Sequence, residues 1–180
     1  MKIAIFGGSF DPPHIGHEAI AMQAINGLDI QQLFVVPNFL NPFKKQTFLS
    51  AKNRLTLLKK VFLNEKNIIV DDFEILQNEA VYSIQTVKYL QKKYSPSKIY
   101  LIIGTDNLET LHLWHSFEEL NKLVTFVVAS RSGFLNKNYA KIQSLNVNVD
   151  ISSTKLRDTL DINFIPHIIQ EDVKQFWQKK

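Results

Sequence analysis

A short apolar run, Lys2-Ile3-Ala4-Ile5-Phe6, leads directly into Gly7-Gly8-Ser9-Phe10-Asp11-Pro12-Pro13-His14-Ile15-Gly16-His17. The run reads as a strand, the glycines and prolines as a tight connection, and Ile15–Asn26 as the helix that follows. Strand, turn and helix within so few residues restrict the chain to a narrow set of folds. His14 and His17 stand at the head of that helix, and residues at i and i+3 share a helix face. A helix N-terminus also offers free N–H groups and the positive end of the macrodipole, a setting suited to phosphate. Two imidazoles at that end make a compact set of donors for anionic oxygens.

The alternation continues along the chain. Strands are predicted over Lys2–Phe6, Leu33–Val36, Ile68–Val70, Lys98–Ile103, Thr125–Ala129 and Val147–Val149. Helices are predicted over Ile15–Asn26, Ala51–Leu63, Ser83–Lys93, a short stretch from about Asp106, Phe117–Leu123, Lys155–Leu160 and Gln170–Gln178. Within Ala51–Leu63, Leu55, Leu58, Val61 and Phe62 follow the 3.6-residue period of a helix packed on a sheet. In the last helix Val173, Phe176 and Trp177 cluster. Short β-branched runs alternating with helices predict an α/β fold with a mostly parallel sheet. No repeat, linker or composition break divides the 180 residues, so 1–180 is expected to be one domain.

In open α/β sheets ligands bind beyond the carboxyl ends of the strands. Segments 7–17, 37–45, 104–115, 130–133 and 151–157 each follow a predicted strand and should converge on one edge. The long Pro37–Ser50 connection points the same way, because connections of that length commonly serve a site.

Composition excludes more than it assigns. The chain has no cysteine, which removes disulfides and thiolate metal sites and is compatible with a reducing cytoplasm, the expected location. The opening apolar run is too short for a signal peptide, and no run approaches membrane-spanning length, so no membrane partner is expected. The formal charge of +4 and pI near 9.2 suit a phosphate-rich ligand. The basic residues are dispersed rather than clustered, which argues against nucleic acid as the partner.

The Gly7–His17 segment lacks the Gly-x-Gly-x-x-Gly of dinucleotide folds and the Gly-Lys-Ser/Thr of P-loops. From the residues alone it could be a phosphate site, an i,i+3 metal pair or an incidental helix start. It resembles the nucleotidylyltransferase superfamily signature Gly-Gly-Ser/Thr-Phe-Asp-Pro…His-x-Gly-His. Ile151-Ser152-Ser153-Thr154-Lys155-Leu156-Arg157 reads locally as a helix cap. It also resembles that superfamily's second signature, Ile-Ser-Ser-Thr-x-x-Arg. The resemblance implies a Rossmann-like three-layer sandwich that binds ATP through Gly7, Gly8, Ser9, Phe10 and His17. It implies that His14 and His17 contact phosphates through the transition state. Ile151, Ser152, Ser153 and Thr154 would hold the terminal phosphates, with Arg157 clamping them. In Pro37-Asn38-Phe39-Leu40-Asn41-Pro42-Phe43-Lys44-Lys45, Lys44 takes the lysine position of a Pro-His-Lys loop, while Phe43 replaces its histidine.

The middle of the chain narrows the resemblance. Gly104-Thr105-Asp106-Asn107-Leu108, continuing to Trp114-His115, resembles the Gly-Ala/Thr-Asp-x-Leu…Trp stretch of bacterial nicotinate-mononucleotide adenylyltransferases. This implies Gly104 and Asp106 on the ATP side, with Trp114 and His115 at the pyridine ring and its carboxylate. An indole face is a platform for a flat ring. His115 stands where many relatives have tyrosine. Tyr82-Ser83-Ile84-Gln85-Thr86 resembles Ser-Tyr-Thr-x-x-Thr and implies Tyr82 and Ser83 near the nicotinate, although Gln77–Val81 replaces the usual Arg-x-Gly lead-in. Arg131-Ser132-Gly133 resembles Arg-x-Gly, with Arg131 beside the adenine or ribose.

The implied activity joins ATP and nicotinate mononucleotide into nicotinate adenine dinucleotide and pyrophosphate. His14, His17, Lys44 and Arg157 would be the catalytic groups, with Lys44 also facing the nicotinate nucleotide. Mg²⁺ would arrive on ATP and leave on pyrophosphate, with no metal site of the protein's own. Nicotinamide mononucleotide or phosphopantetheine as acceptor, and a non-catalytic nucleotide-binding module, are the alternatives. Oligomeric state leaves no trace in the sequence.

Overall fold

Six strands form one sheet: β1 (Lys2–Gly8), β2 (Gln32–Pro37), β3 (Ile68–Val70), β4 (Lys98–Gly104), β5 (Thr125–Arg131) and β6 (Gln143–Val147). The computed structural model describes residues 1–41, 46–131, 142–147, 149 and 151–178. The strands lie in the order β3-β2-β1-β4-β5-β6, and every neighbouring pair is parallel. Crossovers are supplied by α1 (Ile15–Gly27), α2 (Ala51–Val61), α4 (Ser83–Tyr94) and α5 (Phe117–Leu123), with a short α3 (Phe73–Leu76) before α4. The chain ends in α6 (Ser153–Thr159) and α7 (Gln170–Gln178).

The strands are apolar almost without interruption because both sheet faces are covered. Side chains alternate across the pleat. Ala4, Phe6, Leu33, Val35, Tyr100 and Ile102 meet Ala21 and Ala24 of α1 and Leu58 of α2 on one face. Ile3, Ile5, Phe34, Val36, Leu101 and Ile103 meet Ile84, Val87 and Leu90 of α4 and Leu120 of α5 on the other. The result is the expected three-layer sandwich. A third cluster, Leu49, Leu57, Ile151, Leu156, Ile169 and Val173, packs α2, α6 and α7 together.

Three departures are informative. The sixth strand lies at Gln143–Val147 rather than Val147–Val149. It is an edge strand that buries only Leu145 and Val147, so its polar residues disguise it. β1 and β4 also run on through Gly8 and Gly104, because glycine backbone still pairs across the ladder: Gly7 with Val36, Gly104 with Ala129. The short helix near Asp106 is two single 3₁₀ turns, Thr105–Asn107 and Leu111–Leu113.

The strand order places the site. After β1 the chain moves outward to β2 and β3, then returns to lay β4 on the other side of β1. The carboxyl ends of β1 and β4 therefore flank the switch point, where connections part and leave a crevice. Gly7–His17 leaves one side of it and Gly104–His115 the other. Among the described residues no helix is long and apolar enough to cross a membrane.

Candidate active site

A cleft of about 910 Å³ opens at the switch point. Gly7, Gly8, Ser9, Phe10, His14 and His17 line it from the β1 side, and Gly104, Asp106, Trp114 and His115 from the β4 side. Tyr82 and Ser83, at the start of α4, and Ile151, Ser152, Ser153 and Thr154, at the start of α6, complete the walls. Most of the side chains singled out from the sequence thus meet in one place. Lys44 lies outside the described residues, as does Phe43. Arg131 closes β5, but its side chain is not among those described.

The histidine pair is held tightly. The two imidazoles stack with centroids 3.6 Å apart and planes 21° from parallel. The backbone N–H of His14, the residue preceding α1, donates to His17 Nδ1 at 3.2 Å. A nitrogen that accepts carries no proton, so neutral His17 is the tautomer with its hydrogen on Nε2. Phe10 supports the same ring edge-on at 4.8 Å. Its backbone is left-handed, with φ of 49°. That conformation costs an L-residue about 1 kcal/mol, offset here because the ring is buried against Phe6 and His17.

Gly16 is the residue the pair cannot lose. A Cβ there would lie 3.0 Å from His14 Cε1 and Nδ1 and 3.1 Å from Ile151 Cγ2. Gly16→Ala should therefore displace the His14 ring. The expected result is a stability loss of about 1–3 kcal/mol and a clear fall in turnover, read from thermal unfolding and initial rates. Gly104 has a parallel constraint, since a Cβ there would collide with Asp106 Oδ1.

Two charged residues serve this architecture from behind. Asp11 is buried, and its Oδ1 and Oδ2 accept from the N–H groups of Leu49 and Phe48 at 2.7 and 2.6 Å. It fastens the chain before α2 to the first signature. Arg54 of α2 is fully buried. It donates to the carbonyls of Ser9 at 2.6 Å, Phe39 at 2.7 Å and Leu49 at 3.3 Å. Burial pushes its guanidinium pKa down and the Asp11 carboxylate pushes it back up. One side chain thus joins the segments after β1, after β2 and before α2.

Arg157, expected to clamp phosphate, bonds to protein partners in this structure. It is not among the residues lining the cleft. Its Nη1 donates to the Asp11 carbonyl at 2.6 Å and its Nη2 to Thr154 Oγ1 at 3.1 Å, tying the second signature to the first. Ser152 caps α6 by accepting from Lys155 N–H at 3.1 Å, and Ser153 Oγ donates to the Pro12 carbonyl at 3.3 Å.

The opposite end of the cleft is aromatic. Tyr82 and His115 stack at 4.4 Å, and Trp114 packs on the core cluster while its buried Nε1 has no hydrogen-bond partner among the described residues. Glu74 of α3, also lining the cleft, accepts from Thr86 Oγ1 at 2.5 Å. Burial pushes its carboxyl up to about 7, against the opposing Thr86 hydrogen bond. A carboxyl that holds its proton more tightly when folded stabilises the fold at low pH. That contribution is lost as pH climbs from the unfolded value near 4.5 through about 7. Glu74 should cost the fold roughly 2–3 kcal/mol over that interval and Glu74→Gln should not, as urea unfolding at about pH 5 and about pH 8 would measure.

Asn38, Glu74 and Arg54 were not marked as site residues by sequence reasoning. Asn38 is buried at the cleft, and among the described residues its Oδ1 has no partner. Its place directly after a strand was the available signal, whereas Arg54 and Glu74 sit among ordinary surface-like helix residues. Among the described residues no three His, Cys, Asp or Glu side chains gather as a metal site.

A parallel sheet whose switch point carries a glycine-rich turn, a paired imidazole and a second Ser/Thr-rich helix start defines a nucleotidyltransferase. The chain belongs to the cytidylyltransferase-like family, whose model matches residues 5–159. It is 49% identical over 173 residues to the "Probable nicotinate-nucleotide adenylyltransferase" of Aliarcobacter butzleri (strain RM4018), covering 96% of this chain and 95% of the relative. A protein of the same name from Campylobacter jejuni subsp. jejuni serotype O:23/36 (strain 81-176) is 47% identical over 180 residues, covering 99% and 98%. The fold is also that of Plasmodium falciparum nicotinic acid mononucleotide adenylyltransferase complexed with NaAD. That likeness has a TM-score of 0.77 at 24% identity, over 97% of this chain and 95% of that one.

Proposed function

We propose that this chain, acting as one domain over 1–180, transfers the adenylyl group of ATP to nicotinate mononucleotide in the cytoplasm. The products are nicotinate adenine dinucleotide and pyrophosphate. The observation that carries this reading is the two-ended cleft. A stacked imidazole pair follows β1, an aromatic end built from Tyr82, Trp114 and His115 lies opposite, and both open on one switch point. One end suits phosphates, the other a flat ring. The names of relatives similar over nearly the whole chain support the same acceptor.

The chemistry asks little of the side chains beyond placement and charge. An oxygen of the acceptor phosphate, ionised at neutral pH, attacks the α-phosphorus of ATP. The bond from that phosphorus to the bridging oxygen breaks, and pyrophosphate leaves with the electron pair. No general base is needed; what matters is alignment and stabilisation of developing charge. His17 offers Nε2–H because its Nδ1 is occupied by the His14 amide. His14 and His17 then act as donors to phosphate oxygens. Ser152, Ser153 and Thr154 face the departing pyrophosphate, and Lys44 adds a cation to it. Arg157 holds the two signatures at a fixed separation through Asp11 and Thr154. Mg²⁺ enters with the triphosphate as part of the substrate.

The test is pyrophosphate release from ATP with four acceptor conditions: nicotinate mononucleotide, nicotinamide mononucleotide, phosphopantetheine and none. Release that depends on nicotinate mononucleotide supports the reading. Release only with phosphopantetheine overturns the acceptor, and no release under any condition favours a binding module.

A further inference from the structure

The aromatic end of the cleft has a carboxyl in its wall. Glu74 lines the cleft with Tyr82, Ser83 and Trp114 and is only 7% exposed. Its Oε1 accepts from Thr86, three residues along α4 from Ser83 and on the same helix face. The surrounding charges are engaged elsewhere. Asp71, ahead of α3, pairs with Lys93 of α4, and Asp72 with Lys59 of α2. Lys88 of α4 pairs with Glu119 of α5. From the segment after β4, Asp106 and His115 line the same cleft. Among the described residues no cation pairs with Glu74, so its charge is met by the Thr86 hydroxyl alone.

We propose that Glu74 is a specificity-determining residue, its charge selecting between acceptor rings that bear a carboxylate and rings that bear a carboxamide. The inference rests on the reaction proposed above. Two carboxylates in a water-poor wall repel each other, whereas a neutral Glu74 removes the repulsion and supplies an O–H donor. A carboxamide ring carries no charge and is nearly indifferent to the change. Preference for nicotinate over nicotinamide mononucleotide is therefore greatest while Glu74 holds its proton, and declines as pH rises and the proton leaves.

The experiment measures dissociation constants of both mononucleotides for the wild type, Glu74→Gln and Thr86→Val, from about pH 5.5 to about pH 8.5. Both ligands carry the same phosphate, so its titration cancels in their ratio. The wild-type preference should fall about tenfold across neutrality, between the effect of two like charges in contact in bulk water and the larger one near a protein surface. Glu74→Gln should hold the low-pH preference throughout. Thr86→Val, which removes the bond favouring the ionised form, should move the fall to higher pH. A flat wild-type ratio overturns the inference. So does a slope that survives in Glu74→Gln. Binding of neither mononucleotide at any pH overturns the proposed reaction and this inference with it.

Discussion

His17→Ala should lower kcat by about a thousandfold, on the order of 4 kcal/mol of transition-state stabilisation, while leaving the fold intact. His17 is half-buried, so truncation opens no deep cavity, and the His14 amide it releases can turn to water. What disappears is a donor whose tautomer is set by that amide and whose ring is braced by His14 and Phe10. If the interaction strengthens as charge develops, kcat should fall far more than KM for ATP rises. His17→Asn separates two roles, because its side-chain oxygen can accept from His14 yet places no donor where Nε2 stood. It should be nearly as slow as alanine. Initial rates with saturating substrates decide the matter, and near-normal turnover by a folded variant would remove His17 from the mechanism.

Arg54→Met should be the most damaging substitution for stability. It replaces a fully buried guanidinium by an apolar chain of similar length and leaves the carbonyls of Ser9, Phe39 and Leu49 without donors. Each orphaned buried carbonyl costs about 1–3 kcal/mol, so a total near 3–5 kcal/mol is expected after partial relaxation. For a chain of this size that corresponds to a Tm lower by roughly 10 °C. Arg54→Lys keeps the charge but lacks the fork, and should fall between the two. Turnover should drop in both variants before unfolding begins, because Arg54 joins the first signature to the segment before α2. Thermal unfolding and rates measured well below Tm test both parts, and an unchanged Tm in Arg54→Met would contradict the latch.

What could be read in advance divides along physical lines. Strands buried on both faces, such as Ile3–Phe6 and Ile99–Ile103, announce themselves by unbroken apolar residues. The edge strand Gln143–Val147 does not, because only alternate positions meet the core. Site residues that gather in contiguous motifs, His14 with His17 and Ile151 to Thr154, were legible because the chain itself sets them side by side. Asn38 and Glu74 come to the cleft, and Arg54 to its place behind it, through tertiary packing, and nothing local distinguishes a buried arginine from a solvated one in an amphipathic helix. Arg157 shows the limit from the other side. Its motif was visible, but its partners in this structure, the Asp11 carbonyl and Thr154, depend on how α6 meets the segment after β1.

The central claim is that the phosphate of nicotinate mononucleotide itself attacks the α-phosphorus of ATP. It is tested most directly by giving the protein ATP, Mg²⁺ and nicotinate mononucleotide with its phosphate oxygens labelled with ¹⁸O, and weighing the products. The account predicts nicotinate adenine dinucleotide that retains all of the acceptor's label, formed in equal amount with unlabelled pyrophosphate. AMP and pyrophosphate with the acceptor recovered unchanged, or no dinucleotide at all, would contradict it.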